Sequence, residues 1–362
     1  MRLVNLESIK TNIALKKPIY NESGQILLGE GVPLTERLIE RLKARGITTV
    51  YVDDPESAGI EVKEVLKQET RTKAMQTIKS TLETVHNGKD LSRIFVQQGL
   101  DKTFSSLVQD ILKDIQNNGD ALSLLTDVYA HDNYIFAHSL NVTIYSLALA
   151  SRLNLTPRQL KEIGLGAMLH DVGKMQIDLE VLSKPGRLDD HEFEEMKKHS
   201  EYGFEILRRI STVPLVAAHC AYQHHERIDG SGYPRGLKGD EIHLYSRIIG
   251  IADVFDAVTT NRVYRKAMLP HEGLEILYAG AGTQFEYEFV EAFRKAIVVY
   301  PAGLKVNLND GRKGIVVRPN IGLSERPVIR IVEENNVKVV APYEVDLAKD
   351  LTSVIVGADM IL

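Results

Sequence analysis

The chain of 362 residues contains a single cysteine, Cys220. One cysteine cannot form an intramolecular disulfide, which is typical of a protein from a reducing compartment. The longest mainly apolar runs, such as 145–150 and 297–300, fall far short of the roughly 18 residues that a membrane-spanning helix needs. The residues after Met1 lack the apolar core of a signal peptide. We therefore expect a cytoplasmic protein.

An excess of charge of either sign is also absent, because 44 Lys and Arg stand against 49 Asp and Glu. A nearly neutral chain lacks the basic surface of a protein that coats nucleic acid. A hydrophobic content of 44% without an excess of Gly or Pro is that of a globular protein, which excludes disorder over most of the length. The length predicts two or three domains.

The first segment, 1–60, is predicted to be a small α/β unit. Strand-like runs flank a turn at 21–24, and Thr35 is a suitable N-cap for the helix that follows. These residues include no catalytic constellation. Both a regulatory unit and an inert structural unit fit this pattern.

The next segment, 61–118, is predicted to be a helical linker. Its second half carries an apolar stripe at three- and four-residue spacing. The stripe consists of Phe104, Leu107, Val108, Ile111, Leu112 and Ile115. Packing within its own domain explains the stripe, and so does a homodimer formed through this helical region.

Segment 119–298 is almost entirely helical in pattern, with a helix start at Thr156 that Pro157 and Gln159 strengthen. Beyond it the period becomes alternating, which predicts a small β-rich unit at 299–362. The expected fold is therefore multidomain and mainly α, with a small N-terminal α/β unit and a small C-terminal β unit.

A His-Asp pair lies at the predicted end of one helix, at His170 and Asp171. A carboxylate has two oxygens and can bridge two cations while the neighbouring imidazole binds one of them. More imidazoles and a second carboxylate occur with apolar neighbours at helical spacing or beside a turn. These residues are His138, His199, His224, His225 and Asp253.

Buried imidazoles and carboxylates without partners would cost several kcal/mol, so their presence predicts a metal centre. Donor sets without thiolate suit Fe, Mn, Ni, Co or Zn and do not choose among them. Cys220 is interpreted as a small buried hydrophobe. The remaining histidines are interpreted as non-ligands: His86, His131, His191, His219, His243 and His271.

Four ordered motifs resemble those of one enzyme family. Residues 170–174 resemble the HD motif of metal-dependent phosphohydrolases, and residues 224–234, with His-His-Glu followed by Gly-Tyr-Pro, resemble the extended signature of the HD-GYP subfamily. Residues 199–207 and 253–262 match its intervening and following motifs. The resemblance covers roughly 125–298.

This resemblance implies a helical HD-GYP core, typical of bacterial second-messenger signalling. It also implies hydrolysis of cyclic di-GMP to linear pGpG by a hydroxide that bridges two metal ions. Iron or manganese is expected, two ions per chain. The first ion would be held by His138, His170, Asp171 and Asp253. The second would be held by Asp171, His199, His224 and His225.

Substrate contacts are also implied by the resemblance. Lys174 would reach a phosphate or polarise the attacking hydroxide, which makes it catalytic together with Asp171. Tyr233 lies in the loop beside the site and either contacts substrate or only shapes the turn. Contacts to phosphate or guanine are implied for Asp256, Arg262 and Arg265, although the family often has Lys where Arg265 stands.

Several alternatives stay open. The substrate could be another cyclic dinucleotide, such as cyclic GMP-AMP, or the domain could be a cyclic dinucleotide receptor that signals through partner proteins. Whether pGpG is cut onward to GMP is open as well. Some family members hold a third ion through a Glu four residues before the first histidine ligand, and here that position is Tyr134. A neutral phenol is a poor ligand, so two ions are expected.

Overall fold

The chain forms two compact units. The computed structural model describes residues 1–9, 11–21, 24–45, 47–62, 64–117, 128–129, 134–184, 186–260, 267–320 and 322–360. One unit combines Met1–Val65, Asn118–Asp132 and Ile297–Leu362, and the other combines Leu66–Asn117 with Asn133–Ala296. The division into four domains at 60, 118 and 298 stays a prediction.

The first unit contains the described strands and one helix. Its N-terminal elements are β1 (Arg2–Asn5), β2 (Ile13–Ala14), β3 (Ile19–Tyr20), β4 (Ile26–Leu28), β5 (Pro33–Leu34), α1 (Glu36–Ala44), β6 (Thr49–Val52) and β7 (Val128–Tyr129). Its C-terminal elements are β8 (Lys305–Leu308), β9 (Arg312–Arg318), β10 (Val328–Glu334), β11 (Val337–Asp346) and β12 (Ile355–Asp359). The C-terminal strands form one antiparallel sheet in the order β11-β10-β9-β8-β12.

Apolar side chains hold the two ends of the chain together in this unit. Ile60 packs in one buried cluster with Ala302, Ile315 and Val332. Thr35 caps α1 by accepting a hydrogen bond from the Leu38 amide, as its position predicts. The predicted α/β and β-rich character of the two ends is confirmed.

The second unit is helical. Its helices are α2 (Gln68–His86), α3 (Leu91–Gln97), α4 (Leu100–Asn117), α5 (Tyr134–Arg152), α6 (Pro157–Leu169), α7 (Leu179–Leu182), α8 (Asp190–Lys197), α9 (His199–Leu207), α10 (Leu215–Gln223), α11 (Leu244–Thr259), α12 (Pro270–Ala279) and α13 (Tyr287–Ala296). Thr156 and Gln159 form the predicted capping box at the start of α6.

Helix α5 is the core helix of this unit. Every side chain from 136 to 150 is buried, as expected for a helix that is apolar on nearly all sides. The polar residues on α5, His138 among them, are therefore buried with the apolar ones. A centre that includes His138 must lie inside the unit.

The apolar stripe of α4 packs within its own chain. Phe104, Leu107, Val108 and Ile111 are fully buried, and Ile115 is nearly so. Leu112 is half-buried. Most of the stripe is therefore covered within the chain, and the homodimer stays an untested prediction. None of the helices among the described residues is long and apolar enough to cross a membrane.

Candidate metal centre

All seven predicted ligands come together in the second unit. His138 lies on α5 and Asp253 on α11, whereas the others lie at helix ends. His170 and Asp171 follow α6, His199 begins α9, and His224 and His225 follow α10. Several helix ends can meet at one point because the backbone turns away after each of them.

The donor atoms form two groups. Within each group they lie within 4.8 Å of one another. The first group is His138, His170 and Asp171, and the second is His199, His224 and His225.

Asp171 lies between the two groups. Its Oδ2 is 3.4 Å from Nε2 of His170 and 3.5 Å from Nε2 of His138. Its Oδ1 is 3.6 Å from Nε2 of His199 and 3.8 Å from Nε2 of His224. Each oxygen therefore faces one group, which is the geometry that a bridging carboxylate needs.

Asp253 also faces both groups. Its Oδ1 is 3.1 Å from Nε2 of His138, and its Oδ2 is 3.6 Å from Nδ1 of His225. The structure thus places Asp253 near the first group, where the resemblance put it, with its other oxygen toward the second.

Hydrogen bonds to the backbone fix the tautomers of three histidines. Nδ1 of His170 lies 2.7 Å from the Ala167 carbonyl oxygen, Nδ1 of His199 2.6 Å from that of Met196, and Nδ1 of His224 2.9 Å from that of Ala221. A carbonyl oxygen only accepts, so each Nδ1 carries the proton and donates. The lone pair of each neutral ring is then on Nε2, which faces the centre.

This arrangement fits a cation. Nε2 of His199 and Nε2 of His224 are 3.3 Å apart, and two lone pairs at that distance repel unless a cation lies between them. Nε2 of His170 and Oδ1 of Asp171 are buried without a hydrogen-bond partner. Buried acceptors of this kind are costly unless something binds them.

The ionisation states also suit ligation. Burial lowers the pKa of His199 to about 4, with help from the positive charge of Lys174. Burial, together with His170, lowers the pKa of His224 to about 3. Burial alone would raise the pKa of Asp171, but His170 and Lys174 outweigh it and hold that pKa well below its ordinary value. Neutral imidazoles and ionised carboxylates are the forms that bind metal.

His138 differs from the other histidines in its surroundings. Burial lowers its pKa, but hydrogen bonds that the ring donates to the carboxylates of Asp253 and Asp256 outweigh that effect and raise it to about 10. A cation held by Nε2 would take the place of the proton there, and Nδ1 would keep its proton for Asp256.

Asp256 lies behind His138. Its Oδ2 accepts from Nδ1 of His138 at 2.7 Å, and its Oδ1 accepts from Nδ2 of Asn141 at 2.9 Å and from the Thr260 hydroxyl at 3.0 Å. The side chain is buried, and both of its oxygens are bonded to protein groups. Asp256 is therefore placed to orient His138, and its contact with phosphate or guanine stays a prediction.

Replacing Asp256 by asparagine is expected to weaken metal affinity by about 10- to 100-fold, as removal of a carboxylate behind a ligand histidine does. The amide removes the charge that orients His138. Competition with a chromophoric chelator measures the affinity. Asp240→Asn is the matched control, because the Asp240 side chain is fully exposed. Equal metal affinities in the two variants would contradict this role.

Lys174 lies beside the bridging carboxylate. It sits in the 3₁₀ turn Val172–Gln176, and its Nζ donates to Oδ2 of Asp171 at 2.6 Å. The turn packs tightly on α9, because a Cβ at Gly173 would lie 1.9 Å from the His199 carbonyl oxygen. Glycine at 173 thus permits the turn Val172–Gln176 to lie directly against His199.

The loop after α10 packs against the ligands. The Tyr233 ring lies 4.7 Å from the His225 ring, centroid to centroid, with 32° between the planes. A Cβ at Gly232 would lie 2.5 Å from the His225 carbonyl oxygen. Glu226, for which we predicted no role, is buried and accepts from the amides of Arg235 and Leu237. The signal available in the sequence was an acidic residue directly after His224 and His225.

The other predictions concern residues away from the centre. Cys220 is buried, and burial raises the pKa of its thiol, in keeping with a structural role. Among the described residues, neither group of donors includes His86, His191, His219, His243 or His271. His131, Arg262 and Arg265 lie outside the described residues.

The chain is similar to known HD-domain proteins and to cyclic dinucleotide phosphodiesterases. A family model described as HD domain matches residues 120–288. The chain is 30% identical over 329 residues to the cyclic di-GMP phosphodiesterase PA4108 of Pseudomonas aeruginosa, covering 85% of this chain and 78% of that protein. It is 37% identical over 174 residues to the 3'3'-cGAMP-specific phosphodiesterase 3 of Vibrio cholerae, covering 48% of this chain and 38% of that protein.

A solved structure shares the fold. Bd1817, an HDG"Y"P protein from Bdellovibrio bacteriovorus, superposes with a TM-score of 0.50 and 16% identity, covering 80% of this chain and 97% of that one. At that identity the likeness concerns the fold alone. The sequence relatives carry the assignment: the chain belongs to the HD-GYP family of HD-domain phosphohydrolases.

Proposed function

We propose that the chain is a metal-dependent phosphodiesterase that hydrolyses cyclic di-GMP to linear pGpG at a centre of two divalent cations. The observation that carries the proposal is the position of Asp171, with one oxygen toward each group of histidines. The relative from Pseudomonas aeruginosa, named a cyclic di-GMP phosphodiesterase, supports the substrate.

The ligand assignment follows the two groups. His138, His170 and Asp253 would hold one cation, His199, His224 and His225 the other, and Asp171 both. When bound, the cations supply a hydroxide nucleophile at neutral pH and neutralise charge on the reacting phosphate. Imidazole and carboxylate donors suit iron and manganese. The expectation of two ions and not three rests on the sequence alone, because the Tyr134 side chain lies outside what the structure describes.

The chain's own residues prepare the site for an anion. Lys174 places a positive charge beside the bridging carboxylate, and its side chain is 13% exposed, so a phosphate can reach it. In a buried site such a charge stabilises the negative charge that develops on the phosphate oxygens. The reaction adds water across one P–O3′ bond, and the 3′ oxygen leaves with a proton.

Substrate preference is tested with purified protein prepared without oxygen and loaded with iron or manganese. Cyclic di-GMP, cyclic GMP-AMP and pGpG are incubated separately and followed by chromatography. We expect pGpG from cyclic di-GMP and a lower kcat/KM for cyclic GMP-AMP.

Two other outcomes would replace the proposal. Faster hydrolysis of cyclic GMP-AMP would make that compound the substrate, as the relative from Vibrio cholerae suggests. Binding of cyclic di-GMP without hydrolysis in the loaded protein would indicate a receptor. The complete ligand set argues against a receptor, since binding alone does not need seven metal ligands. The cytoplasmic location stays a prediction.

A further inference from the structure

Two of the seven predicted ligands are more exposed to solvent than the others. The His225 side chain is 18% exposed and that of Asp253 is 9% exposed. The other five ligand side chains are at most 1% exposed. His225 therefore lies at the most open edge of the centre in the described part of the chain, and this edge is called the entrance.

Two aromatic rings lie in sequence on that side. The Tyr233 ring covers His225. The Phe193 ring of α8 meets the Tyr233 ring edge-on, with centroids 6.3 Å apart and planes at 81°. Phe193 is 47% exposed, so the outer ring presents much of its surface to solvent at the entrance.

A positive charge accompanies the rings. Nζ of Lys197 lies 5.4 Å from the Phe193 ring centroid and 5.8 Å from that of Tyr233, and the same ammonium group is ion-paired with the exposed Glu194. Phe193 and Lys197 are four residues apart on α8 and share one face of the helix. A capping box of Asp189 and Glu192 fixes the start of α8. The ring and the ammonium group are thus held by a defined element.

We propose that Phe193 is the stacking platform for a guanine base of the substrate, with Lys197 at the edge of the same subsite. The inference rests on the proposed function, because it places a phosphate at the cations. Each base of a cyclic dinucleotide is joined to its phosphate through one ribose, so a base beside that phosphate extends to the entrance. Aromatic rings stack on any base, so the Phe193 ring carries the binding in this subsite.

The first test separates binding from catalysis. Phe193→Leu keeps an apolar side chain without a ring, and Phe193→Tyr keeps the ring. We expect Phe193→Leu to raise KM for cyclic di-GMP about tenfold or more with kcat within about twofold of wild type, because stacking on a base is lost. Phe193→Tyr should retain KM. A merely structural role would lower metal content or kcat in Phe193→Leu.

The second test does not need turnover. The chain has no tryptophan, so Phe193→Trp introduces a single fluorescent indole that a stacked guanine quenches. Tyr287→Trp is the control, because Tyr287 is 59% exposed on α13 and is not part of the site. Mixing with cyclic di-GMP should quench the indole at 193 more strongly than the one at 287, and inorganic phosphate should quench neither selectively.

The outcomes distinguish the two proposals. Wild-type turnover with an unchanged KM in Phe193→Leu overturns the base subsite and leaves the phosphodiesterase proposal in place. If wild type does not hydrolyse any cyclic dinucleotide, the phosphodiesterase proposal fails and the quenching test alone decides the subsite. Equal quenching at 193 and 287 overturns the subsite in either case.

Discussion

Replacing Asp171 by alanine is expected to reduce hydrolysis of cyclic di-GMP to background, a loss of more than about 10³-fold, and to release both cations. One side chain serves both groups of histidines, since Oδ2 faces His138 and His170 and Oδ1 faces the second group. The loss should exceed the 10²- to 10³-fold effect of removing a single electrostatic contact. Elemental analysis after desalting measures the metal content.

Controls separate this result from misfolding. Asp171→Asn keeps the volume of the side chain and can still accept from Lys174, so it should fold and still lose activity. Asp240→Ala removes an exposed carboxylate and should behave as wild type. Circular dichroism should show unchanged helix content in all three variants. Turnover near the wild-type rate in either Asp171 variant would refute the bridging assignment.

Replacing Lys174 by methionine is expected to lower kcat by about 10²- to 10³-fold while two cations per chain remain. Methionine keeps an unbranched side chain of similar length and removes the charge beside Asp171. The Lys174 ammonium group donates to Asp171 and, when protonated, has no lone pair with which to bind a metal ion. Its loss should therefore change the stabilisation of the phosphate more than the binding of metal.

The matched control is Lys338→Met, because the Lys338 side chain is 83% exposed in the C-terminal sheet. That variant should retain wild-type kcat. Loss of metal from Lys174→Met would show that Lys174 acts by holding Asp171 in place. An unchanged kcat would remove Lys174 from the mechanism.

The sequence predicted the convergence of the seven ligand candidates because residue type and position are both local signals. A His-Asp pair at a helix end and polar residues on an apolar helix such as α5 indicate burial. Because burying such groups without partners is costly, they are expected to bind a common metal centre. The capping box at Thr156 was predicted on the same local grounds. The identity of the family came from the motifs.

The roles of residues around the ligands could not be predicted in the same way. Asp256 is three residues after Asp253 on α11, so the helix period places both near the centre. Whether Asp256 contacts substrate or His138 depends on how α5 and α11 pack, and these two residues are 118 positions apart in the sequence. Phe193 lies on a mostly polar helix, and its exposure beside Tyr233 depends on how α8 and the loop after α10 pack.

The most direct test of the account is a titration of metal-free protein with manganese or reduced iron under anaerobic conditions, with cyclic di-GMP as substrate. We expect hydrolysis to rise with added metal, to reach a plateau at two equivalents per chain and to yield linear pGpG. Full hydrolysis without added metal, or a plateau at one equivalent, would contradict it.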